Sequence, residues 1–209
     1  AGFYTAKKLE KHLNKGEAEV TMVDPLPYMT YQPFLPEVAA GSIEANHAVV
    51  SHRAHLRKTN VVTGKVTKVD HANKVATIEV PGLKPYQFEY DQIVVTAGAV
   101  SRTFPIPGIA DNAIGMKYIE EAVEVRNRLT SNFDKAANLP AGPERDRLLT
   151  VVVVGGGFAG IETFAELRSL ASALIKFYPS LSFDDVHFHL IEAMGRIMPE
   201  VSLPTSEWV

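Results

Sequence analysis

Three observations predict an α/β protein. In LLTVVVVGGGFAGIETFAEL at 148–167, a run of β-branched residues meets three glycines and then a helix-forming segment. A second strand, VHFHLIEA at 186–193, ends in the acid Glu192, and the chain opens on what reads as a partial copy of the same arrangement. The class that follows is two Rossmann-like folds, the first carrying a β insert and both incomplete within these residues.

Gly155, Gly157 and Gly160 fit G-x-G-x-x-G. In such a turn the first glycine allows the tight bend, the second lets backbone approach a pyrophosphate, and the third lets helix and strand pack closely. The N–H groups and positive dipole end of the following helix then face the phosphates. Val151 to Val154 form a continuous apolar run, as expected of a parallel strand buried on both faces. The Glu192 carboxylate is placed to accept hydrogen bonds from the ribose hydroxyls of an unphosphorylated nucleotide.

The first copy is read from Ala1-Gly2-Phe3-Tyr4-Thr5, which parallels Ala159-Gly160-Ile161-Glu162-Thr163. A helix over 3–14 leads into AEVTMVD, a strand ending in Asp24, which matches Glu192 in kind. Gly2 to Asp24 is an ordinary spacing for this unit. Because the copy starts at its third glycine, the sequence is expected to be a piece of a longer protein, inactive in turnover by itself.

Composition narrows the class of partner. Hydrophobic residues make up 46% and charged residues 22%, which supports a substantial core. A net charge of −3 and a pI near 6.2 give no electrostatic reason to expect nucleic acid. With zero cysteines there is neither a disulfide framework, nor a cysteine metal site, nor a redox dithiol in these residues. His52 and His55, at helical spacing, and His187 and His189, on one strand face, lack an acid or cysteine to complete a ligand set, so no metal is expected.

Between the copies, 25–45 is a proline- and aromatic-rich loop with a short helix, suited to lining a flat ligand rather than continuing a sheet. A helical stretch follows near His47 to Arg57. NVVTGKVTKVD and KVATIEV flank His71-Ala72-Asn73 as a β-hairpin. FEYDQIVVTAG reads as a buried strand ending at Gly98, SRTFPIPG as a linker stopped by Pro105 and Pro107, Ile119 to Ala137 as an amphipathic helix, and PAGPERD as an exposed loop. The domain reading is a first nucleotide domain over 1–110, a helical connection over 111–147 and a second nucleotide domain over 148–209.

YMTYQPFLPEVAAGSIE, YDQIVVTAGAVSRTFPIPGI, KYIEEAVEVRNRL and VVVGGGFAGIETFAEL, in this order, resemble the type II NADH dehydrogenases. These are non-pumping NADH:quinone oxidoreductases within the two-dinucleotide flavoproteins of the pyridine nucleotide-disulfide oxidoreductase superfamily. The resemblance implies FAD in the first fold and NADH in the second, with electrons passed on to a quinone. It places Gly2 at the FAD pyrophosphate turn, Asp24 on the adenosine ribose, Gln32 and Pro33 near the flavin ring, and Lys65 and Val66 beside the adenine. Thr96, Ala97 and Gly98 stand where the family has Ala-Thr-Gly, so Thr96 departs from the pattern. In the second fold Gly155, Gly157, Gly160 and Glu192 are assigned to NADH. Glu162 matches a family glutamate near the nicotinamide and is the candidate for proton handling or positioning; the alternative is a first-turn acid stabilised by the helix dipole.

The resemblance also implies peripheral association with a membrane, on the cytoplasmic side of the plasma membrane in a bacterium, through a segment beyond these residues, and it allows a homodimer. Disulfide reductases are disfavoured because 28–41 has no cysteine. An NADH-dependent ferredoxin or rubredoxin reductase, or a non-catalytic NADH-binding module, remain alternatives. Glu192 disfavours NADPH, with Arg196 nearby as the counter-argument.

Overall fold

A computed structural model describes residues 1–209 except Arg102 and Phe104. The linker read at 101–108 therefore lies partly outside the described residues. In chain order the first elements are α1 (Gly2–His12), β1 (Thr21–Asp24), β2 (Tyr28–Thr30), α2 (Leu35–Ala39), β3 (Val49–Ser51) and α3 (His52–His55). Next come β4 (Asn60–Thr63), β5 (Lys65–Asp70), β6 (Val75–Glu79) and β7 (Tyr86–Glu89). The remainder comprises α4 (Ile109–Asn112), α5 (Ile119–Ala136), α6 (Pro143–Leu148), β8 (Thr150–Val154), α7 (Phe158–Leu174), β9 (His187–Ile191) and α8 (Leu203–Trp208).

The chain forms two compact units, residues 1–30 with 49–100, and residues 31–48 with 101–209. In the first unit β1 runs parallel to β4, with Asp24 opposite Thr63, as the helix-linked reading of a nucleotide fold requires. Phe3 and Ala6 of α1 bury against Leu56 and Val61, with Met22, Met29 and Val50 packed around them. The hairpin forms as β5 against β6, and β7 adds a third antiparallel strand. Gly64 separates β4 from β5 where a Cβ would stand 2.7 Å from the Glu79 carbonyl oxygen, so the chain switches sheets at a residue with no side chain.

Several local expectations are corrected here. Within 25–45, Tyr28–Thr30 does join a sheet, pairing antiparallel with Val49–Ser51, so the stretch near His47 to Arg57 is a 3-10 turn, a strand and only then one helical turn. Of the strand expected over FEYDQIVVTAG, only Phe88 and Glu89 lie in one, at the end of β7; Val94 and Val95 are 63% and 76% exposed. A strand needs a hydrogen-bonded neighbour, and none flanks 91–98 among the described residues.

In the second unit α2 is the apolar plug: Leu35, Pro36, Val38 and Ala39 are all buried. It packs on α5 and α7. On α5, Leu129, Phe133 and Ala136 recur on one face, while Glu124 and Arg128 meet as an exposed pair at 3.0 Å on the other. The Glu121 carboxylate accepts from the N–H groups of Lys117 and Tyr118 at 2.7 and 2.9 Å, closing the start of α5. PAGPERD is only partly loop, because Pro143 begins α6; proline is well suited to a first helical position, where its missing N–H is not needed. β8 and β9 run parallel from Thr150 opposite His187 to Val154 opposite Ile191. Burial of β8 on both faces is not found: Val152 and Val154 are each 51% exposed, since β9 is its one partner among the described residues.

Candidate functional site

The second unit builds its site at the carboxyl ends of β8 and β9. The ladder reaches into the turn, where Gly155 N–H donates to the Ile191 carbonyl at 2.8 Å. Gly155 has φ +108°, a backbone conformation open to glycine. The chain then enters α7, and a Cβ on Gly160 would lie 1.8 Å from the Gly155 carbonyl oxygen, so the close crossing of turn and helix demands the third glycine. Gly157 is the N-cap of α7, and no side chain caps the helix. First-turn N–H groups without a side-chain cap are suited to a pyrophosphate.

Glu192 stands directly against this turn. Its Oε1 accepts from Met194 N–H at 2.8 Å and its Oε2 accepts from Gly156 N–H. The Met194 and Gly156 amides hold the carboxyl below its ordinary range, so it is an anion at neutral pH. Arg196 Nη2 donates to the carbonyls of Pro199 and Val201 at 2.9 and 3.1 Å, and its Nη1 is buried without a hydrogen-bond partner among the described residues. Glu162 is exposed two positions beyond Gly160, as the fifth residue of α7; the first turn of the helix carries no acid, so the reading of Glu162 as a first-turn acid paired with the helix dipole is corrected.

The stretch with Gln32 and Pro33 belongs to the second unit, as a 3-10 turn ahead of α2. Lys117 holds the Gln32 amide from both ends, its Nζ donating to Oε1 at 3.1 Å and its carbonyl accepting from Nε2 at 3.5 Å. Sequence reasoning missed the role of Lys117: it opens the quoted stretch KYIEEAVEVRNRL, but nothing in that stretch points to Gln32, 85 positions away.

In the first unit α1 likewise starts without a side-chain cap. Gly2 and Thr96 come together: a Cβ on Gly2 would stand 2.6 Å from Thr96 Oγ1, so the threonine that departs from the family order packs on the helix start. Ala97 and Gly98 continue that segment, exposed, with Gly98 at φ +69°. Asp24 closes β1, and its Oδ1 accepts from Leu26 N–H at 2.8 Å. Lys65 and Val66 are exposed at the start of β5, opposite Glu79 and Ile78. His52 is buried beside Asp24.

The pyridine nucleotide-disulphide oxidoreductase model matches residues 1–209. The chain belongs to this family.

Within it, the chain is 34% identical over 200 residues to the mitochondrial external alternative NAD(P)H-ubiquinone oxidoreductase B2 of Arabidopsis thaliana, covering 90% of this chain and 34% of that protein. It is 33% identical over 202 residues to the type II NADH:quinone oxidoreductase Ndh of Mycobacterium tuberculosis, covering 95% of this chain and 42% of the relative. The structure of NDH2 from Plasmodium falciparum in complex with NADH superposes with a TM-score of 0.87 at 26% identity, covering 98% of this chain and 42% of that one. The chain thus spans about a third to two fifths of the length of these relatives. Among the described residues no helix is long and apolar enough to cross a membrane.

Proposed function

We propose that these residues are the nucleotide-binding part of a type II NADH dehydrogenase, an FAD-dependent enzyme that oxidises NADH and reduces a quinone. The observation that carries the reading is the second unit's glycine turn, with Gly160 forced against the Gly155 carbonyl and the Glu192 anion set at the turn's edge. The relatives named as NADH:quinone and NAD(P)H-ubiquinone oxidoreductases support it.

Gly155, Gly157 and Gly160 would admit the NADH pyrophosphate to the start of α7, and Glu192 would accept from the adenosine ribose hydroxyls. Gly2 and Asp24 would do the same for FAD, with Lys65 and Val66 beside its adenine, Thr96, Ala97 and Gly98 along its length, and Gln32 and Pro33 near the ring. When bound, the cofactors would supply the hard chemistry, hydride transfer from NADH to FAD and two-electron reduction of a quinone that takes up two protons to give a quinol. The protein's part is orientation. Lys117 fixes which way the Gln32 amide points, and Glu162 would position the nicotinamide or hold a proton beside it.

The unit favours NADH over NADPH. An anionic Glu192 repels a 2′-phosphate. Peripheral association with a membrane, on the cytoplasmic face in a bacterium, and a homodimer complete the proposal.

Steady-state turnover of the full-length protein with a soluble quinone tests it. The expected result is quinone reduction with NADH at a kcat/KM well above that with NADPH; NADH oxidation indifferent to quinone would overturn the assignment of the acceptor.

A further inference from the structure

His52 is a buried titratable side chain that the proposed chemistry does not use. It is 1% exposed, and neither ring nitrogen has a hydrogen-bond partner by geometry among the described residues. Its Nε2 lies 3.5 Å from Asp24 Oδ2, close enough for an electrostatic contact and slightly long for a hydrogen bond. The ring is fixed from two sides. It lies 5.8 Å from the Phe3 ring at a 31° tilt, and Phe3 follows Gly2 in the first turn of α1. Its backbone N–H donates to the Pro27 carbonyl at 3.0 Å, three residues beyond Asp24. Burial holds the imidazole below its ordinary range, although the Asp24 carboxylate opposes this, so the ring is neutral and presents one N–H.

The two folds fix their acids alike at the first oxygen. Asp24 Oδ1 takes the amide two residues on, Leu26, at 2.8 Å, and Glu192 Oε1 takes the amide two residues on, Met194, also at 2.8 Å. At the second oxygen Glu192 takes the Gly156 amide, whereas Asp24 faces His52. A carboxylate has about four acceptor positions, so two such contacts leave room for the two hydroxyls of a ribose.

We propose that His52 is a positioning residue for the flavin nucleotide: wedged between the start of α1 and the turn after β1, it holds the Asp24 carboxylate in the orientation that receives the adenosine ribose of FAD. The inference rests on the reading that the first fold holds FAD through Asp24.

The test is FAD affinity, measured by flavin fluorescence on the full-length apoprotein, for the parent, His52→Phe, His52→Gln, Asp24→Asn and the Asp24→Asn/His52→Phe double variant. If His52 acts through Asp24, His52→Phe weakens FAD binding roughly tenfold and His52→Gln, which retains an N–H donor, restores most of it. In the Asp24→Asn background His52→Phe then changes affinity by under about twofold. An equal loss in both backgrounds, or a loss in His52→Gln matching that of His52→Phe, shows a packing role and overturns the proposal. Should His52→Phe fail to fold, His52→Gln and Asp24→Asn/His52→Gln give the same cycle, with coupling again required. If Asp24→Asn itself leaves FAD affinity unchanged, the ribose reading of the first fold fails; if Asp24→Asn weakens FAD and the His52 variants do not, the His52 inference alone fails.

Discussion

Gly160 shows how far one residue can be read. A Cβ there would meet the Gly155 carbonyl oxygen at 1.8 Å, a backbone clash that no side-chain adjustment relieves. Gly160→Ala is expected to destabilise the second unit by about 3 kcal/mol in urea unfolding and to abolish NADH binding. Glu192→Gln keeps the shape but removes the charge; NADH affinity should fall about tenfold by titration while the preference over NADPH narrows. Glu192 was singled out because it stands at the end of the next strand, β9, beside the glycine turn, and Gly160 was legible in the sequence because a tight strand-to-helix turn restricts the residue type at a fixed place in a motif. His52 and Lys117 were not. Each meets a partner brought near by folding, Asp24 for the one and Gln32 for the other, and sequence spacing does not announce such a partner.

Among the elements, α5 is the one whose periodicity translated most directly into structure, running Ile119–Ala136 with Phe133 fully buried. Phe133→Ala is expected to cost about 3–5 kcal/mol, read as a lowered urea midpoint. The same helix anchors the segment after α7: the Tyr178 hydroxyl donates to Asp134 at 2.6 Å, and its ring lies 5.7 Å from that of Phe133. That hydrogen bond, with burial and the nearby charge, pushes the Tyr178 phenol up to about 12. Because the folded value lies above the unfolded value of 10.0, the stabilisation is complete below that pH and is lost as pH rises through about 12. Tyr178→Phe should therefore lose about 1 kcal/mol at neutral pH and show less of the alkaline decline in stability. Elements were misread where a neighbour decides the outcome. Tyr28–Thr30 is a strand because Val49–Ser51 pairs with it, and 91–98 is not one although its valines invite a ladder. Local sequence carries propensity, whereas pairing depends on what lies alongside.

At the scale of the whole molecule, the order of the two nucleotide folds was legible because the helix start, helix and strand-end acid of the second, Gly160 to Glu192, recur in the first from Gly2 to Asp24. Less legible was that 31–48 groups with the second unit. Its helix α2 buries its apolar face on α5 and α7, and sequence order alone does not say which later helices will receive it. As proposed above, the first unit would hold FAD and the second NADH. An anaerobic titration of the purified full-length protein with NADH, followed in the visible flavin band, tests it most directly. The expected result is a bound flavin whose band bleaches with one equivalent of NADH and far more slowly with NADPH. A protein without flavin, or a flavin band that NADH leaves unchanged, would contradict it.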